Sequence, residues 1–293
     1  MHKIILFITC LILALPAQAQ IIVGQSFAPA ASGESDWDIA DASYDSKFCS
    51  VASETGNPED VLFNDDGTKM FVVDPDSDRV LPYTLSTAWD VSTCSYDGDG
   101  NILSVTSQET GPRGAFWKPD GTVLYVNGNT GDDVNQYGCS SAFVLTTCTF
   151  SAAVSTGTQD NNPQSVFWED DGTNMFVIGI ENDSVSEYSC STPWTNTSCS
   201  ITDSTALSED GQPRGIWFKP DGLAMWMAGD SNNTIFQYTL SSAWDASTLS
   251  YDSVSFSTAS QATFIMDVEF GDEGRKMYVT SGTDDRIYQY SVN

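Results

Sequence analysis

Five related segments recur along the 293-residue chain: Phe63-Asn-Asp-Asp-Gly67, Trp117-Lys-Pro-Asp-Gly121, Trp168-Glu-Asp-Asp-Gly172, Phe218-Lys-Pro-Asp-Gly222 and Phe270-Gly-Asp-Glu-Gly274. Sixteen residues after each glycine stands a tyrosine, at Tyr83, Tyr137, Tyr188, Tyr238 and Tyr290. Six residues after the first four tyrosines comes an aromatic: Trp89, Phe143, Trp194 and Trp244. Successive glycines are 54, 51, 50 and 52 residues apart. An offset held constant through five copies marks one folding unit repeated, and such units bury their apolar faces by stacking on each other.

Each unit reads as four short strands. In the fourth copy, Arg214 to Lys219 enters the tight turn Pro220-Asp221-Gly222, and Ala224 to Ala228 follows. After the polar loop Gly229 to Asn233, Thr234 to Leu240 alternates apolar and polar residues. Beyond Trp244-Asp245 a last strand runs from about Leu249 to Phe256. Short strands separated by turn chemistry, with no sustained helical period, predict an all-β chain. Four strands in a unit of about fifty residues predict propeller blades. The fifth copy ends just after Tyr290, without its Trp-Asp segment. That segment lies instead at Trp37-Asp38, ahead of the first copy, and matches Trp89-Asp90 and Trp244-Asp245. The chain is therefore expected to fold as a five-bladed β-propeller over residues 34–293, with its N-terminal strand completing the last blade.

Two runs carry a family resemblance. The Pro-Arg-Gly…Lys-Pro-Asp-Gly…Leu-Tyr-Val stretch from Pro112 to Val126 resembles repeats of the YVTN/lactonase-like propeller superfamily. The Tyr-x-Leu-Ser-x-Ala-Trp-Asp cassette, at Tyr83 to Asp90 and Tyr238 to Asp245, is similar to repeats of secreted or phage-associated propellers of marine microbes. The resemblance extends over nearly the whole chain after residue 19. It implies the blade and no particular activity, because this architecture hosts many functions.

Residues 1–19 read as a secretory signal peptide: a charged start, an apolar run from Ile4 to Leu15, and Ala17-Gln18-Ala19 as the cleavage site. The formal charge of −29 becomes −30 when Lys3 is removed, and the chain's one histidine, His2, goes with it. Without histidine, a Ser-His-Asp or Cys-His nucleophile and an imidazole metal ligand are ruled out for the exported chain. So acidic a protein is not expected to bind nucleic acid or an anionic membrane surface. Residues 20–33 form an N-terminal arm whose Ile21, Ile22, Val23 and Phe27 are either a bland tail or a route to self-association. Six cysteines remain after Cys10 is lost. Cys139 with Cys148, and Cys190 with Cys199, lie nine apart across apparent hairpins, which leaves Cys49 with Cys94 by elimination. Three disulfides suit a secreted or periplasmic compartment.

Candidate sites are the positions that vary inside the repeating frame. Eight residues before each turn glycine stand Glu59, Arg113, Gln164, Arg214 and Met266, followed by Asp60, Gly114, Ser165, Gly215 and Asp267. Ring closure makes copies one and five neighbours, which gathers Glu59, Asp60 and Asp267 at the funnel mouth, with Arg113 and Arg214 facing them. Such a cluster either binds a ligand, Ca²⁺ included, or acts as acid and base in hydrolysis, or forms a solvated rim of ion pairs. Asp74-x-Asp76-x-Asp78 and Asp97-x-Asp99-x-Asn101 have the oxygen spacing of calcium loops, but Arg79 and Ile102 stand where such loops need glycine. Turn structure is the competing reading, since an Asp or Asn recurs at Asp78, Asp132, Asp183, Asn233 and Asp285. The repeated aromatics are expected to pack between blades, with a carbohydrate-stacking rim as the alternative. No catalytic constellation stands out. The expected function is thus a non-enzymatic secreted binding module for a carbohydrate or protein partner. A carboxylate-lined hydrolase and a subunit of an extracellular assembly are the alternatives.

Overall fold

The computed structural model describes residues 37–292; the expected signal peptide over 1–19 and the expected arm over 20–33 lie outside the described residues. The chain forms five antiparallel blades. The inner strands are Asp60–Phe63, Pro112–Trp117, Pro163–Trp168, Pro213–Phe218 and Ile265–Gly271, in blades one to five. These strands pack against one another all the way round, blade five against blade one included. The N-terminal strand Ser43–Ser50 pairs antiparallel with Arg286–Ser291 and supplies the outermost strand of blade five. The chain is a five-bladed β-propeller, closed as its repeats require.

The repeat has physical causes. Each turn glycine has positive φ, between 67° and 87°. Each also lies under an aromatic ring: an added Cβ would come 2.2 Å from Trp89 at Gly67 and 2.3 Å from Trp37 at Gly274. Glycine is required twice over, by conformation and by contact. The aromatics themselves take left-handed backbone conformations, from 56° at Phe143 to 90° at Trp37. Their rings bridge adjacent blades, as Trp194 does between Trp168 and Phe116. They are core packing. Behind each of Trp37, Trp89 and Trp244, the following Asp caps a short 3-10 turn through its own side chain.

The recurring tyrosine ties its strand to the segment entering its blade. The hydroxyls of Tyr83, Tyr137, Tyr188 and Tyr238 donate to Glu54, Gln108, Gln159 and Glu209. The residue just before the tyrosine joins neighbouring blades. Gln136, Glu187, Gln237 and Gln289 accept the backbone amides of Asn196, Ala246, Ile39 and Val91 in the next 3-10 corner. In blade one that position is Pro82, which has no such side chain.

Three disulfides are present: Cys139–Cys148, Cys190–Cys199 and Cys49–Cys94. The first two each staple a hairpin within one blade. The third crosses the seam, joining the outer strand of blade five to the outer strand of blade one. Such bonds persist in an oxidising compartment. Among the described residues no helix is long and apolar enough to cross a membrane.

Candidate functional site

Each inner strand begins at the same end of the ring axis, so the varying residues gather there in two levels. The outer level holds Glu59, Arg113, Gln164 and Arg214, contributed by blades one to four. Arg113 Nη1 donates to Glu59 Oε1, and Asn57 Nδ2 donates to the same oxygen at 2.9 Å. Arg113 also reaches the Asn129 side-chain oxygen from Nη2 and Nε at 3.0 and 3.2 Å. Arg214 Nη1 donates to Gln164 Oε1 at 2.8 Å, and its Nη2 lies 3.3 Å from Asp230 Oδ2. Blade five is the apolar side of this level, with Met266 buried and the Phe264 ring 5.3 Å from the Arg214 guanidinium carbon.

Glu59 lies under the arginines: its side chain is 2% exposed against 23% for Arg113. Burial pushes its carboxyl up to about 7, against the pull of Arg113 and then Arg214. Both guanidinium groups therefore bear on one carboxylate.

The inner level holds Asp60 and Asp267, both buried. They hydrogen-bond each other across the seam between blades one and five. Asp60 Oδ2 accepts the Ala115 amide at 2.6 Å and Asp267 Oδ2 the Val61 amide at 3.5 Å, so each carboxyl reaches the inner strand of the next blade. Burial and the charge of Asp267 hold Asp60 well above the usual carboxylate range. Burial raises Asp267 to about 6, with the Asp60 hydrogen bond and the Val268 and Val61 amides opposing the rise. Glu269, two residues on, is also raised, by burial and by Asp267, and accepts Trp217 Nε1 at 3.0 Å. Gly215 leaves room for this level: a Cβ there would stand 2.3 Å from Asp267 Oδ1. Glu269 was not among the residues singled out from the sequence. Its signal is a lone acid at a position that is Leu62, Phe116, Phe167 and Trp217 in the other copies.

The two calcium-like triplets are occupied by the protein's own groups. Asp74 pairs with Arg79 at 2.6 Å and caps the Asp76 amide at 3.0 Å, while Asp76 accepts the Gly56 amide at 3.1 Å. Asp97 accepts from Thr84 at 2.8 Å and lies 3.3 Å from Lys69 Nζ; Asp99 accepts the Tyr96 hydroxyl at 2.7 Å. Asn101 donates to the Asp97 carbonyl at 2.7 Å. Among the described residues no three His, Cys, Asp or Glu side chains converge in a way that could hold a metal ion. Asp78, Asp132, Asp183, Asn233 and Asp285 all have positive φ, from 46° to 51°, and serve as turn residues.

No protein-family model and no curated protein sequence matches the chain. Solved structures do. One is a candidate 6-phosphogluconolactonase from Bacteroides uniformis, with TM-score 0.50 and 12% identity over 80% of this chain and 66% of that one. Another is a protein from Lactobacillus plantarum, with TM-score 0.50 and 13% identity over 80% and 67%. A candidate 6-phosphogluconolactonase from Bacteroides fragilis aligns with TM-score 0.48 and 16% identity over 68% of this chain. The likeness is one of fold. The chain spans 55% of the length of the Bacteroides fragilis protein. What it shares with these propellers is the blade and its stacking.

Proposed function

We propose that this chain is a secreted, non-enzymatic binding module whose ligand site is the axial mouth. The observation that carries the reading is the meeting of Glu59, Arg113, Gln164 and Arg214 from four blades over the axis, at the outer of the two levels where the repeat does not dictate the residue. Polar groups converging on a rigid concave frame are the usual setting of a small-ligand site. The three disulfides and the leader-like residues 1–19 support export. The ligand is a carbohydrate or a small polar group borne by a protein partner.

The hydrolase alternative finds less support. Asp60 and Asp267 stand at hydrogen-bond distance, closer than the roughly 5 Å that separates the carboxyls of retaining glycosidases. Their oxygens also hold the amides of Ala115 and Val61. An acid pair engaged in this way joins blades rather than meeting a substrate. The test is a glycan array with and without Ca²⁺, beside turnover assays on chromogenic glycosides, esters and lactones. Binding lost in Arg214→Ala without turnover supports the module. Turnover lost in Asp267→Asn overturns it. Size-exclusion with and without residues 20–33 tests assembly, and an unchanged monomer removes that role for the arm.

A further inference from the structure

We infer that the axial mouth takes a saccharide bearing a carboxylate, seated between Arg113 and Arg214, and that Glu59 is an internal carboxylate which the ligand's own replaces. The inference rests on the binding-module reading and names the ligand class for the same site. In a chain of net charge −29, two guanidinium groups from different blades are brought to one mouth. The group placed to receive both is Glu59, bonded to Arg113 and within the field of Arg214. The protein thus presents the seat with a carboxylate of its own in it. Arginine's planar fork suits that partner better than a point charge would. Arg214 keeps an unused donor, since its Nε is buried without a hydrogen-bond partner among the described residues.

The surroundings distinguish a sugar acid from a bare anion. The side-chain amides of Asn57, Asn129, Asn162 and Gln164 stand around the same mouth, offering both donors and acceptors to hydroxyl groups. Phe264 and Met266 supply one apolar wall, suited to the C–H face of a pyranose. Amides on one side and an aromatic on the other are what a saccharide ring requires.

Replacement of Glu59 has a proton attached to it. Its carboxyl sits near 7 rather than in the ordinary range, so in mild acid it is neutral while a sugar carboxylate stays ionised. The charged and titratable groups facing it are Arg113 and Arg214, with Asp230 behind Arg214 and the Asp60–Asp267 pair one level below. Protonation of Glu59 leaves the two arginines to the ligand. Ionised Glu59 competes with it. Between about pH 5.5 and about pH 8 the competent fraction falls by about tenfold, and apparent affinity falls with it.

The test is titration calorimetry of the exported chain with a galacturonate disaccharide and with its neutral galactose counterpart at those two pH values. The acidic saccharide is expected to bind about tenfold more tightly at the lower pH. Arg214→Ala is expected to abolish that binding. Glu59→Gln, which keeps the shape and removes the charge, is expected to hold the tight affinity at both pH values, with melting temperature as the check that it folds. Equal binding of the neutral saccharide, lost in Arg214→Ala, overturns the carboxylate seat and leaves the mouth as the ligand site. Saccharide binding untouched by Arg214→Ala overturns the mouth itself. Failure of both saccharides while an acidic peptide binds overturns the sugar class.

Discussion

The carboxyl of Asp60 donates a hydrogen bond to Asp267 across the seam where blade five meets blade one. A buried pair of acids at this distance cannot both ionise cheaply, so the two share a proton. The interface between the last blade and the first, next to the blade that the N-terminal strand completes, is therefore also where these two acids are held up.

Stability is expected to fall as the pH rises from about 4 toward about 7. The sign follows from the direction of the shifts. Asp267 is raised to about 6 and Glu59 to about 7, so the folded chain binds more protons than the unfolded one across that window. Their contribution is full below the unfolded carboxyl pKa and is lost as the pH passes the folded values. Melting temperature against pH checks this, and Asp267→Asn should flatten the slope between about 4 and about 6. Stability that climbs through the window would contradict the assignment.

The seam disulfide should matter more than either hairpin staple. Cys49–Cys94 closes a separation of 45 residues, against 9 for Cys139–Cys148. Loop-closure entropy gives about 4 kcal/mol for the first and about 2.5 kcal/mol for the second. Calorimetric melting of the two Cys→Ser double variants measures the difference. A larger loss from the hairpin pair would show that blades one and five hold together without their latch.

Two tyrosines in equivalent positions should respond oppositely to loss of the hydroxyl. Tyr238 donates to Glu209 at 2.6 Å, whereas the buried Tyr290 hydroxyl has no hydrogen-bond partner among the described residues. Tyr238→Phe is expected to cost about 1.5–3 kcal/mol, as for a bond to a charged group, and Tyr290→Phe to be neutral or stabilising. Denaturant unfolding of both variants decides it. Equal losses would mean that Tyr290 has a partner supplied by solvent.

Blade five differs from three sisters by a compensating pair. Glu109, Asp160 and Asp210 each cap loop amides, and each lies against a strand-end glycine. At Gly179 an added Cβ would stand 2.2 Å from Asp160. Blade five has Ala262 and Ser281 at these two positions, and the Ser281 side chain caps the Asp284 amide itself at 3.4 Å. Ala262→Asp alone should destabilise by about 1–3 kcal/mol through overpacking. Adding Ser281→Gly should restore most of that loss. Thermal melts of the single and double variants test the coupling, and additive losses would refute it.

Much of this was legible in the chain before folding. Glycine, tyrosine and the Trp-Asp corner recur because each meets its own blade or the next one at a fixed offset, so a repeat in structure is a repeat in sequence. The placement of Trp37-Asp38 ahead of the first copy disclosed the closing strand, and with it the nearness of Asp60 to Asp267. Other features left no such trace. Gln136, Glu187, Gln237 and Gln289 join blades beside the conspicuous tyrosines, yet glutamine and glutamate in a strand look like ordinary surface residues. The calcium-like spacing of Asp74, Asp76 and Asp78 was equally undecidable, because spacing does not say whether an oxygen faces a cation or a neighbouring amide.

By itself, then, the sequence determined the blade count, the closure and the two hairpin disulfides, since these depend on periodicity and on local turn chemistry, whereas Cys49 with Cys94 followed only by elimination. Only the tertiary structure decided what the variable acids do. Burial, which no spacing reveals, drew Asp60 and Asp267 into a shared-proton pair and set Glu59 beneath two arginines. The cost of burying charge is a property of the whole enclosure around a carboxyl, and that enclosure exists only once five blades have closed into a ring.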